Sequence, residues 1–289
     1  MSLFARAVHT TPLTAPDQAR VPTRVRMVVG NWKMHGSLAL CREMVPAMAS
    51  IAQPDTALVL CPPAPYLGEV ARLAANTDVQ CCAQNVADAH SGALTGEWSA
   101  GMLADLGCRY AIVGHSERRR HYHETDHMIA AKAQACLEAG ITPIVCVGES
   151  WVQHQTGQTE VVLQHQLGTL LALPDWRRLI IAYEPVWAIG TGVAAQPDTV
   201  EAAHRYIRGR FATRDPIAGN SMTVLYGGSV NAENAMQLFA LPDVDGALVG
   251  SASLQSDALM QIYTAALRHG ASAATPGAAH RARGDQATE

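Results

Sequence analysis

The sequence is poor in charge and in aromatic side chains. Asp, Glu, Lys and Arg together make up 16% of its 289 residues, and Phe, Tyr and Trp only 5%. Charge this sparse excludes a chain held open by its own repulsion. The net charge of −4 speaks against a whole-protein grip on nucleic acid. No apolar run approaches the ~18 residues of a membrane-spanning helix, so no membrane partner is expected. No C-x-x-C pair occurs, and the cysteine count is odd at seven. That speaks against both a disulfide framework and a zinc ribbon. Cys61 and Cys146 sit inside apolar runs (Leu58–Cys61 and Ile144–Val147). They read as small buried hydrophobes of a reducing compartment, the cytoplasm.

The two ends differ from the middle. Residues 1–24 lack a sustained period and contain Pro12, Pro16 and Pro22, with Arg6, Arg20 and Arg24 against one acid, Asp17. Such a basic, acid-poor start is the composition of a transit peptide, but no amphipathic Arg-rich helix accompanies it. A disordered extension is therefore expected over 1–24. Residues 269–289, rich in Ala, Gly and Arg, are expected to form a disordered tail.

Between them, short apolar runs alternate with longer helical patterns. The predicted strands are Val25–Val29, Ala57–Cys61, Val79–Ala83, Arg109–Val113, Thr142–Val147, Leu179–Tyr183, Thr223–Tyr226 and Gly246–Val249. Most are continuously apolar rather than alternating, as in strands buried on both faces of a parallel sheet. Helices are predicted over Leu38–Ile51, Asp126–Ala139 and Pro197–Phe211; Pro197-Asp198-Thr199 offers a helix start and a cap. Eight strand–helix units spaced by about 31 residues fit an α/β fold with a single (β/α)8 barrel domain over 25–268. An open doubly wound sheet is the other candidate. It usually carries G-x-G-x-x-G after its first strand, where this chain reads Gly30-Asn31-Trp32-Lys33-Met34-His35.

Barrel chemistry gathers at the C-terminal ends of the strands. Asn31 and Lys33 follow the first predicted strand, His115 and Glu117 the fourth, and Glu184 the sixth. Gly227-Gly228-Ser229 follows the seventh and Gly250-Ser251 the eighth. An amine, an imidazole and a carboxylate thus converge on one rim. Glycine-rich turns there present backbone N–H groups to phosphate. The expectation is proton transfer on an anionic substrate.

The motifs Gly30-Asn31-Trp32-Lys33-Met34, Ala83-Gln84-Asn85-Val86, Ser91–Glu97, Val113–Arg119, Pro143–Glu149, Ala182–Gly192 and Tyr226–Val230 together resemble those of the triosephosphate isomerase family, in order, across about residues 25–268. The resemblance implies a TIM barrel that interconverts dihydroxyacetone phosphate and D-glyceraldehyde 3-phosphate in glycolysis and gluconeogenesis, with no cofactor and no metal. It implies Glu184 as the general base, which calls for a desolvated site and a raised pKa. It makes His115 a neutral electrophile and Lys33 the cation for enediolate and phosphate. Asn31 would add a donor and position Lys33, and Glu117 would be the lysine's ion partner. Pro185–Gly192 would be a lid whose Gly190 N–H reaches phosphate, joined there by Ser229, Gly250 and Ser251. Thr95 would support the site of a partner subunit in a homodimer.

One departure stands out: the family often ends the eighth strand Gly-Gly, and here the second position is Ser251. A backbone requirement for positive φ would strain it by roughly 1 kcal/mol. Other readings are a related barrel isomerising a four-carbon ketose phosphate, which pocket size rather than motif would distinguish, and an inactive phosphate-binding barrel. Retention of Lys33, His115 and Glu184 argues against the latter. His121, His123 and His127 could suggest a metal site, but no carboxylate–histidine second shell is evident and the helix after the fourth strand is expected to be exposed.

Overall fold

The computed structural model describes residues 24–189 and 194–273. Its core is a closed barrel of eight strands, each parallel to its neighbours. They are β1 (Arg26–Asn31), β2 (Thr56–Cys61), β3 (Val79–Ala83), β4 (Tyr110–Val113), β5 (Thr142–Val147), β6 (Ile180–Tyr183), β7 (Val224–Tyr226) and β8 (Gly246–Val249). Closure is made by β8 against β1, with Met27 opposite Gly246 and Gly30 opposite Val249. Residue parity then sorts the side chains into two layers. Along β2, Ala57, Val59 and Cys61 join a cluster with Met27, Val29, Ile144 and Leu248 that fills the barrel interior. Leu58 and Leu60 belong instead to the larger cluster shared with the helices. This two-sided burial is why the strands read as unbroken apolar runs.

Helices cover the outside. Leu38–Ala49 starts on Ser37, whose side chain accepts the Leu40 N–H at 3.0 Å. Asp126–Glu138 follows β4, and Thr159–Leu171 follows β5. Pro197–Ala212 begins with Pro at its first position, as expected, but Gln196 is the cap and makes no side-chain cap bond. Asp198 contributes through its charge in the first turn. Ser256–Ala273 is the last helix, running past the expected boundary at 268. Of the expected N-terminal extension only Arg24 falls among the described residues; the rest, and residues 274–289, lie outside them.

The N-terminal ends of β1, β7 and β8 are tied together by charge. The Asp245 carboxylate, just before β8, accepts from Arg24 Nε (2.7 Å), Arg208 Nη2 (2.9 Å) and the Val224 N–H (2.8 Å). Arg208 also donates to Asp243 and to the carbonyls of Asn220 and Met222. Asp245 and Arg208 are thus each held by several partners at this end, the barrel's floor. The opposite, C-terminal rim carries the cleft.

Candidate active site

Lys33 is placed by an unusual backbone. Its φ of +52° lies in the left-handed region, which a residue with a side chain enters at a cost of about 1 kcal/mol. Two bonds hold it there. Asn31 Oδ1, at the end of β1, accepts the Lys33 N–H at 3.0 Å, and Gln84 Nε2 donates to the Lys33 carbonyl at 2.9 Å. Gln84 also holds the Cys61 carbonyl at 2.9 Å. The ammonium meets Glu117 Oε1 at 2.6 Å, both groups being partly open to water. Asn31 and Gln84 thus fix the backbone of Lys33. Gln84 carries no role in the sequence reading, although parity along β3 could have found it: Cys82 faces the barrel interior, so Gln84 two residues on faces the rim.

His115 caps the helix Ser116–Tyr122 after β4. Its Nδ1 accepts the Glu117 N–H at 3.2 Å. An imidazole that accepts at Nδ1 carries its proton on Nε2, and Nε2 lies 2.9 Å from Glu184 Oε1. Glu184 follows β6 and is buried; its other oxygen accepts the Ser116 N–H at 2.8 Å. Gly148 makes room for it: a Cβ at position 148 would lie 1.8 Å from the Glu184 carbonyl oxygen.

Burial pushes the Glu184 carboxyl upward, but the charge and hydrogen bond of His115, with the Ser116 N–H, outweigh it and hold the group below its ordinary value. This differs from the raised pKa expected of the base. The carboxylate rests here on its donors, and burial alone would govern it once those contacts were exchanged for substrate. His115 behaves reciprocally. Burial lowers its basicity, and Glu184 more than offsets this, so the net shift is upward. If Glu184 moves away, burial, the helix N-terminus and the Lys33 charge remain and favour the neutral ring, against the Glu117 carboxylate 3.6 Å from Nδ1.

Asn31, Lys33, His115, Glu184, Ser229, Gly250 and Ser251 all line one cleft of about 280 Å³. Ser251 opens the short turn Ser251–Leu254. Among the described residues only Lys33 and His123 carry positive φ outside glycine. Ser251 is therefore unstrained, and the anticipated penalty does not arise. His35 and Ile189 also line the cleft. Glu117 stands at its edge, bound to Lys33. Thr95 is exposed on the long loop after β3 and does not enter the cleft of its own chain. Gly190 lies outside the described residues.

The chain matches the family model described as triosephosphate isomerase over residues 26–266. It is similar to triosephosphate isomerases of several bacteria. With that of Thiobacillus denitrificans it shares 47% identity over 248 residues, which is 85% of this chain and 100% of the relative. With that of Ralstonia nicotianae it shares 46% over 242 residues, 83% of this chain and 98% of the relative. With that of Xanthomonas euvesicatoria it shares 44% over 247 residues, 84% and 98% of the two chains.

Proposed function

From the premise that the chain belongs to the triosephosphate isomerase family and is an isomerase, we propose a mechanism carried by three of its side chains. Dihydroxyacetone phosphate and D-glyceraldehyde 3-phosphate interconvert in the 280 Å³ cleft, a step of glycolysis. Glu184 moves a proton between C1 and C2. His115, donating from Nε2, polarises the carbonyl and stabilises the enediolate oxygens. Lys33 neutralises the developing charge. The phosphate rests against the turns at Ser229, Gly250 and Ser251, with Gly190 of the lid as a further donor.

The observation that carries this reading is the 2.9 Å contact between His115 Nε2 and Glu184 Oε1. It pairs the acid–base group directly with the electrophile beside Lys33. The same contact occupies both groups, so substrate must displace it: Glu184 turns to a carbon-bound proton, and Nε2–H turns to the carbonyl oxygen. The test is turnover of glyceraldehyde 3-phosphate beside a four-carbon ketose phosphate, with Glu184→Gln as control. A large triose preference, lost in the control, is expected. Preference for the four-carbon substrate would overturn the substrate assignment and leave the proton chemistry standing.

The working form is a homodimer. A second cleft, of about 470 Å³, borders Lys33, His115 and Glu117 and is flanked by exposed Met34 and Tyr122. It opens beside Lys33 and His115, where the exposed Ser91–Glu97 segment of a partner would bring Thr95 to the site. Light scattering should give twice the chain mass, and Thr95→Arg should shift it toward one. Among the described residues no helix is long and apolar enough to cross a membrane. The seven buried, unpaired cysteines favour the reducing cytoplasm.

A further inference from the structure

Glu149, just after β5, is wholly buried. The Tyr183 hydroxyl lies 3.1 Å from each of its oxygens, and Trp187 Nε1 donates to it at 2.8 Å. The Trp187 ring has a further neighbour from a different element. His154, on the short helix Trp151–Gln155, stacks on it with centroids 4.3 Å apart and planes 23° from parallel. Trp151 leans on the same indole at 5.8 Å. One edge of Trp187 is thus fixed by a buried carboxylate and one face by an imidazole.

That indole sits in the turn Val186–Ala188, directly after Glu184-Pro185. The turn is docked on the same β5 junction, with Val186 N–H on the Glu149 carbonyl at 3.1 Å and Glu184 N–H on the Val147 carbonyl at 2.7 Å. Ala188 N–H closes the turn on the Pro185 carbonyl at 2.7 Å. Few torsions separate the Trp187 ring from the backbone of the general base, and the hydrogen bonds of Glu184, Val186 and Ala188 restrain that backbone.

We propose that His154 is a positioning residue for the isomerisation: its ring holds the face of Trp187, and Trp187 with its turn sets the backbone that carries Glu184. His154 touches neither substrate nor the reacting atoms, and the inference rests on Glu184 being the base. The contact acts through ring shape. His154 Nδ1 lies 3.4 Å from Glu149 Oε1 without forming a hydrogen bond, so a flat apolar ring of similar size should substitute for it.

The test compares His154→Ala with His154→Phe in the full chain. His154→Ala should lower kcat about tenfold, the scale expected when a reacting group loses fixed geometry, with KM changed less than about twofold. His154→Phe should restore kcat to within about twofold of the parent, because it keeps the stack. Trp187 emission, isolated by subtracting the spectrum of Trp187→Phe, should shift to the red in His154→Ala and return in His154→Phe. Thermal unfolding of each variant separates positioning from general loss of stability. Unchanged kcat in His154→Ala, or equal losses in the Ala and Phe variants, would overturn the proposal. A parent chain that turns over no triose phosphate would instead sink the proposed function, and the emission comparison would still report whether His154 holds Trp187.

Discussion

The two ends of the barrel each bury a carboxylate, and they use it in opposite ways. On the floor, Asp245 accepts from Arg24, Arg208 and the Val224 N–H. These donors are two permanent guanidinium charges and a backbone group, and none can be withdrawn at neutral pH. At the rim, Glu184 accepts from His115 Nε2 and the Ser116 N–H. Here the main side-chain partner is an imidazole that can stand neutral without Glu184. The floor closes the barrel by joining the starts of β7 and β8 to the entry of β1. The rim keeps a carboxylate buried, charged and able to leave. This division follows the barrel's general separation of stability from chemistry, and each end can be perturbed alone.

The largest separation should come from Glu184→Gln. An amide can still accept the Ser116 N–H, so folding and inorganic phosphate binding should survive. Turnover should fall about 10³-fold or more, as removing an acid–base group implies. Asp245→Ala is the mirror experiment. It removes one of the two carboxylates that answer buried Arg208, along with the partner of Arg24 and of the Val224 N–H, and should cost about 3 kcal/mol in denaturant unfolding, while kcat per folded molecule stays at the parent value. A loss of kcat in folded Asp245→Ala would show that the two ends are coupled. Lys33→Met should lower kcat/KM about 10²-fold by removing charge from the developing enediolate, with little change in unfolding.

A smaller effect separates the ends by pH. His204, near the floor, is fully buried, and its Nδ1 pairs with the Asp243 carbonyl at 3.2 Å. Burial lowers its pKa to about 3. Between that value and the ordinary histidine range near 6.5, the unfolded chain binds a proton that the folded chain does not. Stability is therefore present above about pH 6.5 and falls on acidification, by up to about 1.4 kcal/mol per pH unit from this one group. Unfolding free energies measured from pH 7 to 5 should show this slope, and His204→Phe should lose it. The smallest effect is expected from deleting residues 1–23, which leaves Arg24 on Asp245; kcat and unfolding should both stay at parent values.

How much of this was legible depended on which force set each feature. β3, β5 and β8 lie where the apolar runs place them, because two-sided burial decides their extent. β1 runs on to Asn31 since Gly30 and Asn31 pair with Leu60 and Cys61, and pairing leaves no mark in one strand's hydrophobicity. The helix Ser116–Tyr122 has no apolar stripe to announce it. It is held by the His115 cap and by ion pairs of Arg118 with Glu124 and Arg119 with Asp126. Strand-end logic marked Lys33, His115 and Glu184, which the structure gathers in one cleft. It passed over Gln84, which acts on a carbonyl distant in sequence. Strain at Ser251 depends on φ, which no residue pattern encodes, and Ser251 is not among the positive-φ residues.

The most direct test of the rim's role follows the proton itself. The chain is incubated with dihydroxyacetone phosphate in deuterium oxide, and label at the transferred carbon is read by NMR beside Glu184→Gln. Deuterium entering at that carbon with the parent chain, and falling about 10³-fold in the variant, is the predicted result. Equal incorporation by both chains would contradict Glu184 as the base and leave the buried rim carboxylate without its function.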